Sequence, residues 1–200
     1  MSNSSATGGY LLPLTSQGPP GGLTLRQFLQ TMVVGVSGYP TSLVRPDWQR
    51  EEPLSPTVDT DWIAFGIIEN QTEPGFAYTD AVLNPDNSIS YSLNRQRTLQ
   101  IRIAFYGPNS GDNIGSFIDG FQIQQNLEAL RSANMGFKEC SSAMRAPELV
   151  NELWNDRWDV TLVLVMQDLR TYNVLSFASA SVTVNTVFEN PYSKTINVGG

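Results

Sequence analysis

The chain has 200 residues, of which 16% are charged, with a formal net charge of -7, one cysteine and no histidine. That length supports one globular domain with appendages, and a core large enough to fold without disulfides. The missing histidine removes the commonest general base and metal ligand, a lone Cys140 makes neither an intramolecular disulfide nor a thiolate cage, and the acidic balance argues against nucleic-acid binding as the main task.

Met1 to Tyr10 has no basic region followed by an apolar one, so no signal peptide is expected and a reducing, cytosolic environment fits. Asn3-Ser4-Ser5 and Asn70-Gln71-Thr72 match the glycosylation pattern and are read as chance without such a signal. No apolar run approaches the ~18 residues that a bilayer span needs. Residues 1–22 are rich in Ser, Gly and Pro and read as a flexible leader that Tyr10, Leu11, Leu12 and Leu14 pin in part to a neighbour. A helix follows: Thr24 and Gln27 make a capping box, and Leu25, Phe28, Leu29, Met32, Val33 and Val36 form an apolar stripe. Gly35, Gly38 and Pro40 end it.

Ser42 to Gln49 reads as a short strand interrupted at Pro46, hence an edge or a bend, and Arg50 to Thr60 as a loop. Asp61 to Glu69 is a denser apolar strand covered on both faces. Gly75 to Asn94 forms a hairpin around the turn Asn84-Pro85-Asp86-Asn87. Arg97 to Tyr106 alternates cleanly, with Leu99, Ile101, Ile103 and Phe105 on one face. A second helix carries Ile114, Phe117, Ile118 and Phe121 with Asp112 as cap, and Gln122 to Ser132 continues it after a break. Phe137 to Met144 is a weak strand, and Ala146 to Leu153 a short helix opening at Pro147. Trp158 to Gln167 alternates again, with Trp158, Val160, Leu162, Leu164 and Met166 on one face. The Ser/Thr/Val-rich tail reads as a β arm.

The expected fold is α+β: a mixed β-sheet flanked by helices, with a protruding β-hairpin and a C-terminal β arm. Its expected divisions are the leader at 1–22, the α+β domain at 23–175 and the arm at 176–200.

No catalytic constellation is readable. Without histidine there is no Ser/His/Asp or Cys/His set, and neither lysine sits in a Ser-x-x-Lys pattern. The run Gly107 to Gly111 lacks a phosphate-binding lysine. Glu51-Glu52 and Asp59/Asp61 read as solvated loop charges, and Cys140 as a small core residue. The chain is therefore expected not to be an enzyme and to need no cofactor or metal. Of the 12 basic residues, all but Lys138 and Lys194 are arginine. Arginine is enriched and lysine depleted at interfaces, and Trp48, Trp62, Trp154 and Trp158 are anchor-type residues. Codon bias and ordinary core tryptophans would produce the same composition, which by itself does not decide between them.

Several stretches form an ordered set: Leu43-Val44-Arg45-Pro46-Asp47-Trp48-Gln49, Asp61-Trp62-Ile63-Ala64-Phe65-Gly66, Phe105-Tyr106-Gly107, Asp119 to Asn126 with Leu127 to Arg131, and Ala146 to Glu152 with Trp154. Over roughly Tyr10 to Leu175, this set resembles the neck or tail-terminator proteins of tailed bacteriophages. The resemblance implies a mixed sheet with flanking helices, in a structural protein that assembles as a ring, usually a hexamer, on the end of the tail tube. Such a ring stops tube elongation and offers a surface for joining the head. Implied partners are other copies of the chain, the tube protein, and sheath and head–tail connector proteins where a tail has them. DNA would pass through the lumen without specific binding, which a neutral-to-acidic channel favours. A head–tail connector on the portal side is the alternative. The implied location is the virion neck, with assembly in the host cytoplasm.

Under this resemblance Arg45, Trp48, Gln122, Gln124, Asn126, Glu148, Asn151 and Glu152 are the motif residues expected to face partners. For Gln124, Asn126, Asn151 and Glu152, helix capping or turn stabilisation is an equal alternative. Tyr91 in the hairpin, with Val182 and Val184 in the arm, are candidates for strand-edge contacts with a neighbour.

Overall fold

The structure, a computed structural model, describes residues 9–19, 21–49, 54–72, 77–78, 81–85, 88–150, 152–175, 180–183 and 195–198. The fold class is the α+β one expected, with three α-helices and a mixed sheet among these residues. The chain forms two compact units. One comprises Gln17–Ala77 and Asn94–Leu169; the other comprises Met1–Ser16, Tyr78–Leu93 and Arg170–Gly200.

In chain order the elements are β1 (Thr15–Gln17), α1 (Gly22–Ser37), β2 (Val44–Pro46), β3 (Trp62–Thr72), β4 (Ala77–Tyr78), β5 (Val82–Leu83) and β6 (Ser88–Tyr106). Next come α2 (Ser110–Gly120), α3 (Gln124–Ser132), β7 (Met135–Cys140), β8 (Met144–Arg145), β9 (Glu148–Val150), β10 (Leu153–Asn155), β11 (Arg157–Leu175), β12 (Ala180–Thr183) and β13 (Thr195–Val198).

The larger unit is built on the strand order β11-β6-β3-β2. β2 lies parallel to β3, and β3 antiparallel to β6. β7 and β8 add antiparallel to β11. Pro46 closes the edge strand β2, where its missing N–H interrupts no central ladder. Alternation along the strands sends Ile63 and Phe65, then Leu99, Ile101, Ile103 and Phe105, then Val160, Leu162, Leu164 and Met166, into one core. Leu25, Leu29, Met32 and Val33 of α1, Ile114 and Phe117 of α2, and Leu130 of α3 close that core. Phe105, Phe117, Phe121 and Phe137 chain through it at centroid spacings of 5.3, 5.1 and 5.3 Å. Fully burying a side chain of this size contributes about 1.5–3 kcal/mol. On β3 the expectation of two covered faces holds for Ile63 to Gly66, all of them buried.

The helix ends differ from expectation in detail. α1 opens at Gly22 with Gly21 as its N-cap and no side-chain cap, so the Thr24–Gln27 capping box does not form. It runs through Gly35 and stops at Gly38, whose φ of 74° lets its N–H reach the Val34 carbonyl at 2.9 Å. α2 is preceded by Asn109, and Asp112 sits inside the first turn rather than capping it. The turn before α2 is held by Asp61: one oxygen accepts from the Asn109 backbone N–H at 2.9 Å, the other from its side-chain amide at 2.7 Å. Gly107, at φ 101°, leaves the space this requires, since a Cβ there would meet Asp61 Oδ1 at 2.5 Å. Asp61 is thus a turn anchor and not a solvated charge; Asp59 is exposed, and Glu51-Glu52 lie outside the described residues.

The short helix expected at 146–153 is instead the antiparallel hairpin β9–β10, with Leu153 opposite Val150 and Asn155 opposite Glu148. Pro147 disfavours helical geometry at the residue before it, and the segment is too short to nucleate a stable helix alone. Glu152 takes φ 66° in the two-residue connection, a conformation that suits a tight hairpin.

In the smaller unit, β5 pairs with the start of β6, Val82 opposite Ser90 and Leu83 opposite Ile89, which forms the expected hairpin. Asp86 and Asn87 of its turn lie outside the described residues. Thr15–Gln17, read in sequence as leader, is a strand paired to β11, and Leu14 N–H donates to the Thr171 carbonyl at 2.7 Å. Within the arm, β12 pairs with β13, Val182 opposite Ile196.

Candidate interaction surface

Residues that alternate away from the helices form the other face of the sheet in the larger unit. Trp62 on β3 and Tyr106 on β6 are register partners, and their rings stack at 4.2 Å with 7° between planes. Ala64 and Ala104, the next pair on this face, are buried together with Tyr106, and Trp62 packs half-buried against them. A guanidinium closes each end of the stack: Arg45 lies 5.8 Å from the Trp62 ring and Arg157 5.4 Å from the Tyr106 ring. Each such contact contributes about 0.5–2 kcal/mol, the larger values where water is excluded.

The two arginines differ in their partners. Arg157 donates to both oxygens of Asp159 at 2.7 and 2.6 Å and to Glu148 at 3.2 Å. Its bond to Asp159, against the desolvation of burial, raises an already high pKa. Arg45 donates only to carbonyls, Ser42 at 3.3 Å and Leu54 at 2.7 Å, and has no carboxylate within ion-pair distance among the described residues. Burial pushes the Tyr106 phenol up to about 12; Arg157 opposes this, and Glu148, Asp159 and Asp47 reinforce it. The Trp62 indole N–H is buried and makes no hydrogen bond among the described residues.

Gly66 sets the path of the chain beyond Arg45. The Asp47 N–H continues the β2–β3 pairing to the Phe65 carbonyl at 2.7 Å. Asp47 and Trp48 then cross over Gly66, where a Cβ would lie 2.7 Å from Asp47 Oδ2 and 3.1 Å from the Trp48 ring. Asp47 is held there by Arg102 at 2.6 Å. Trp48 has φ 52° and is 67% exposed. A bulky residue in that conformation is a backbone outlier. Arg45, Asp47, Trp48, Trp62, Tyr106 and Glu148 together line an open groove of about 530 Å3.

Of the residues singled out in sequence, Arg45, Trp48 and Glu148 therefore meet in one groove. Gln122, Gln124 and Asn126 lie elsewhere, at the α2–α3 corner on the helix side of the sheet. Asn126 donates to the Gly120 carbonyl at 2.8 Å, the corner-stabilising role weighed for it. Gln124 accepts from the Arg131 guanidinium, and Gln122 is exposed. Glu152 is exposed in the β9–β10 connection, and Asn151 lies outside the described residues. Tyr91, in the smaller unit, lines a cleft of about 370 Å3 with Leu11, Leu93, Tyr172 and Val174. Val182 is on β12, and Val184 lies outside the described residues.

Sequence reasoning missed Asp47, Tyr106 and Arg157 in this surface. The signal for Tyr106 was its place at the end of the polar face of the cleanest strand. It also missed the β9–β10 hairpin, whose cross-strand pair Leu149 and Trp154 is 60% and 71% exposed. Large apolar side chains left in water on a two-stranded hairpin make it a second candidate contact surface. Among the described residues no cluster of three or more Cys, Asp or Glu is placed to hold a metal, and no helix is long and apolar enough to cross a membrane.

Residues 23–190 match a family model described as phage neck terminator protein. No curated protein matches the chain.

Proposed function

Since the chain belongs to the phage neck terminator protein family, it is a structural component of the virion neck, and we propose that it assembles there as a homo-oligomeric ring, a hexamer, that caps the tail tube. The ring stops tube elongation and presents the surface on which the head is joined. It acts through shape and contacts and catalyses no reaction. Its partners in this reading are its own copies, the tube protein, and sheath or connector proteins where a tail has them; it assembles in the host cytoplasm.

The observation that carries this reading is the groove. An exposed tryptophan held at positive φ, beside an arginine that no carboxylate among the described residues neutralises, is poor surface for a chain that works alone. It is good surface for an anchor, since tryptophan and arginine dominate interface energetics. Low charge fits as well, because charged residues are depleted where chains meet.

The test is phage assembly without this protein. Tubes of uncontrolled length are the expected result. Tails of normal length that fail to join heads would instead place the protein on the connector side. Normal infectious particles would overturn both readings.

A further inference from the structure

Two surfaces of the larger unit, on opposite sides of its sheet, carry charges unpaired among the described residues. On the sheet side, the groove of Arg45, Trp48 and Trp62 offers an exposed ring and a cation without a carboxylate among the described residues; its neighbours Arg102 and Arg157 are already in ion pairs with acids. On the helix side, the α2–α3 corner carries Asp119 and Glu128, both exposed and with no cation in ion-pair distance among the described residues. Between them Ile123 is 54% exposed at the turn itself. The corner presents Ile123 with Asp119 and Glu128 to either side and Arg131 held against Gln124; the groove presents aromatic rings and Arg45, its carboxylates Asp47 and Glu148 being paired to Arg102 and Arg157.

We infer that the Arg45–Trp48 groove of one copy receives the α2–α3 corner of the next copy, with Ile123 against Trp48 and Asp119 facing Arg45. This rests on the ring reading and names the two faces that meet. Because the surfaces are different and lie on opposite sides of the sheet, the contact is head to tail, the kind that generates a ring when its rotation closes. It also places Gln122 and Gln125, both exposed beside Ile123, at the rim of the contact. The chain's excess of acids over bases, 19 against 12, makes a second copy a natural source of a carboxylate for Arg45.

The experiment is disulfide trapping in the full chain bound to tail-tube ends, in a Cys140→Ser background. Gln49→Cys, at the groove, and Gln122→Cys, at the corner, are both exposed positions. Each alone should stay monomeric on oxidation. A mixture of the two single variants should give dimers and nothing larger. One chain bearing both should give a ladder that ends at the ring. Arg45→Glu should lower the trapped yield roughly tenfold or more, and Asp119→Arg in the same chain should restore it. Dimers from either single variant, or no trapping while electron micrographs show rings on the tubes, would overturn this inference and leave the ring standing. Absence of rings on tubes would remove the ring reading and this contact together. Trp48→Ser, with circular dichroism to confirm the fold, serves as the second groove variant and should also abolish the ladder.

Discussion

Trp48 can be weighed as a single residue. Its left-handed backbone costs on the order of 1–3 kcal/mol. At 67% exposed, it packs about a third of its surface, part of it over Gly66. A third of a large aromatic's area is about 80 Å2, worth roughly 2 kcal/mol. The two terms nearly cancel, so Trp48 contributes almost nothing net to the fold. Trp48→Gly should accordingly shift the thermal midpoint by less than about 4 °C, where truncating a core aromatic costs about 3–5 kcal/mol. Thermal melts followed by circular dichroism check this; a loss of core size would show that Trp48 is structural. Sequence named Trp48 from composition and resemblance, but its conformation was not legible. That depends on Gly66 on another strand.

At the scale of elements, α1 and α2 meet at a point where the Cβ of any residue but glycine has no room. A Cβ on Gly120 would lie 2.5 Å from Val36 Cγ1, a stiff β-branched group that cannot swing aside. Gly120→Ala should therefore destabilise the fold by about 1–3 kcal/mol through overpacking. Adding Val36→Ala should return most of that loss, and the double-mutant cycle measured by denaturant unfolding reads the coupling directly. Additive losses would mean that the glycine serves some other purpose. The central strands, α1 and α2 were legible because one face of each is apolar at the period of its own geometry. The β9–β10 hairpin was not. Glu148 to Asn155 has neither a clean period of two nor one of 3.6, and its pairing depends on a connection in which Glu152 takes a positive φ.

For the whole molecule, composition sets the response to pH. With no histidine, stability should be nearly flat between about pH 6 and 8. Above that, three acids act in one direction. Burial raises the Cys140 thiol. Burial, then the charge of Asp61, pushes Tyr39 up to about 12, and burial pushes Tyr106 up to about 12. Each holds its proton in the folded chain at a pH where the unfolded chain has released it. The folded state thus binds more protons, and stability falls as pH rises from about 9 towards 12. Tyr106→Phe removes one of these protons and should move alkaline unfolding to higher pH while leaving the neutral-pH melt little changed. An unchanged alkaline transition, followed by circular dichroism, would show that the phenol is not held neutral by the fold.

Local and compositional features were readable along the chain: the α+β class, the core faces of the long strands, the stripes of α1 and α2, and a chemistry without histidine. These follow from side-chain periodicity, which needs no knowledge of distant residues. The candidate interaction surface came from tertiary structure. Arg45, Trp62, Tyr106 and Arg157 stand on four different strands and become one stack only through the β11-β6-β3-β2 order and the Trp62–Tyr106 register. Pairing between strands far apart in sequence leaves no periodic trace along either one. The arginine bias of the composition therefore acquires a location only in three dimensions, as a groove in which, among the described residues, Arg45 has no carboxylate of its own.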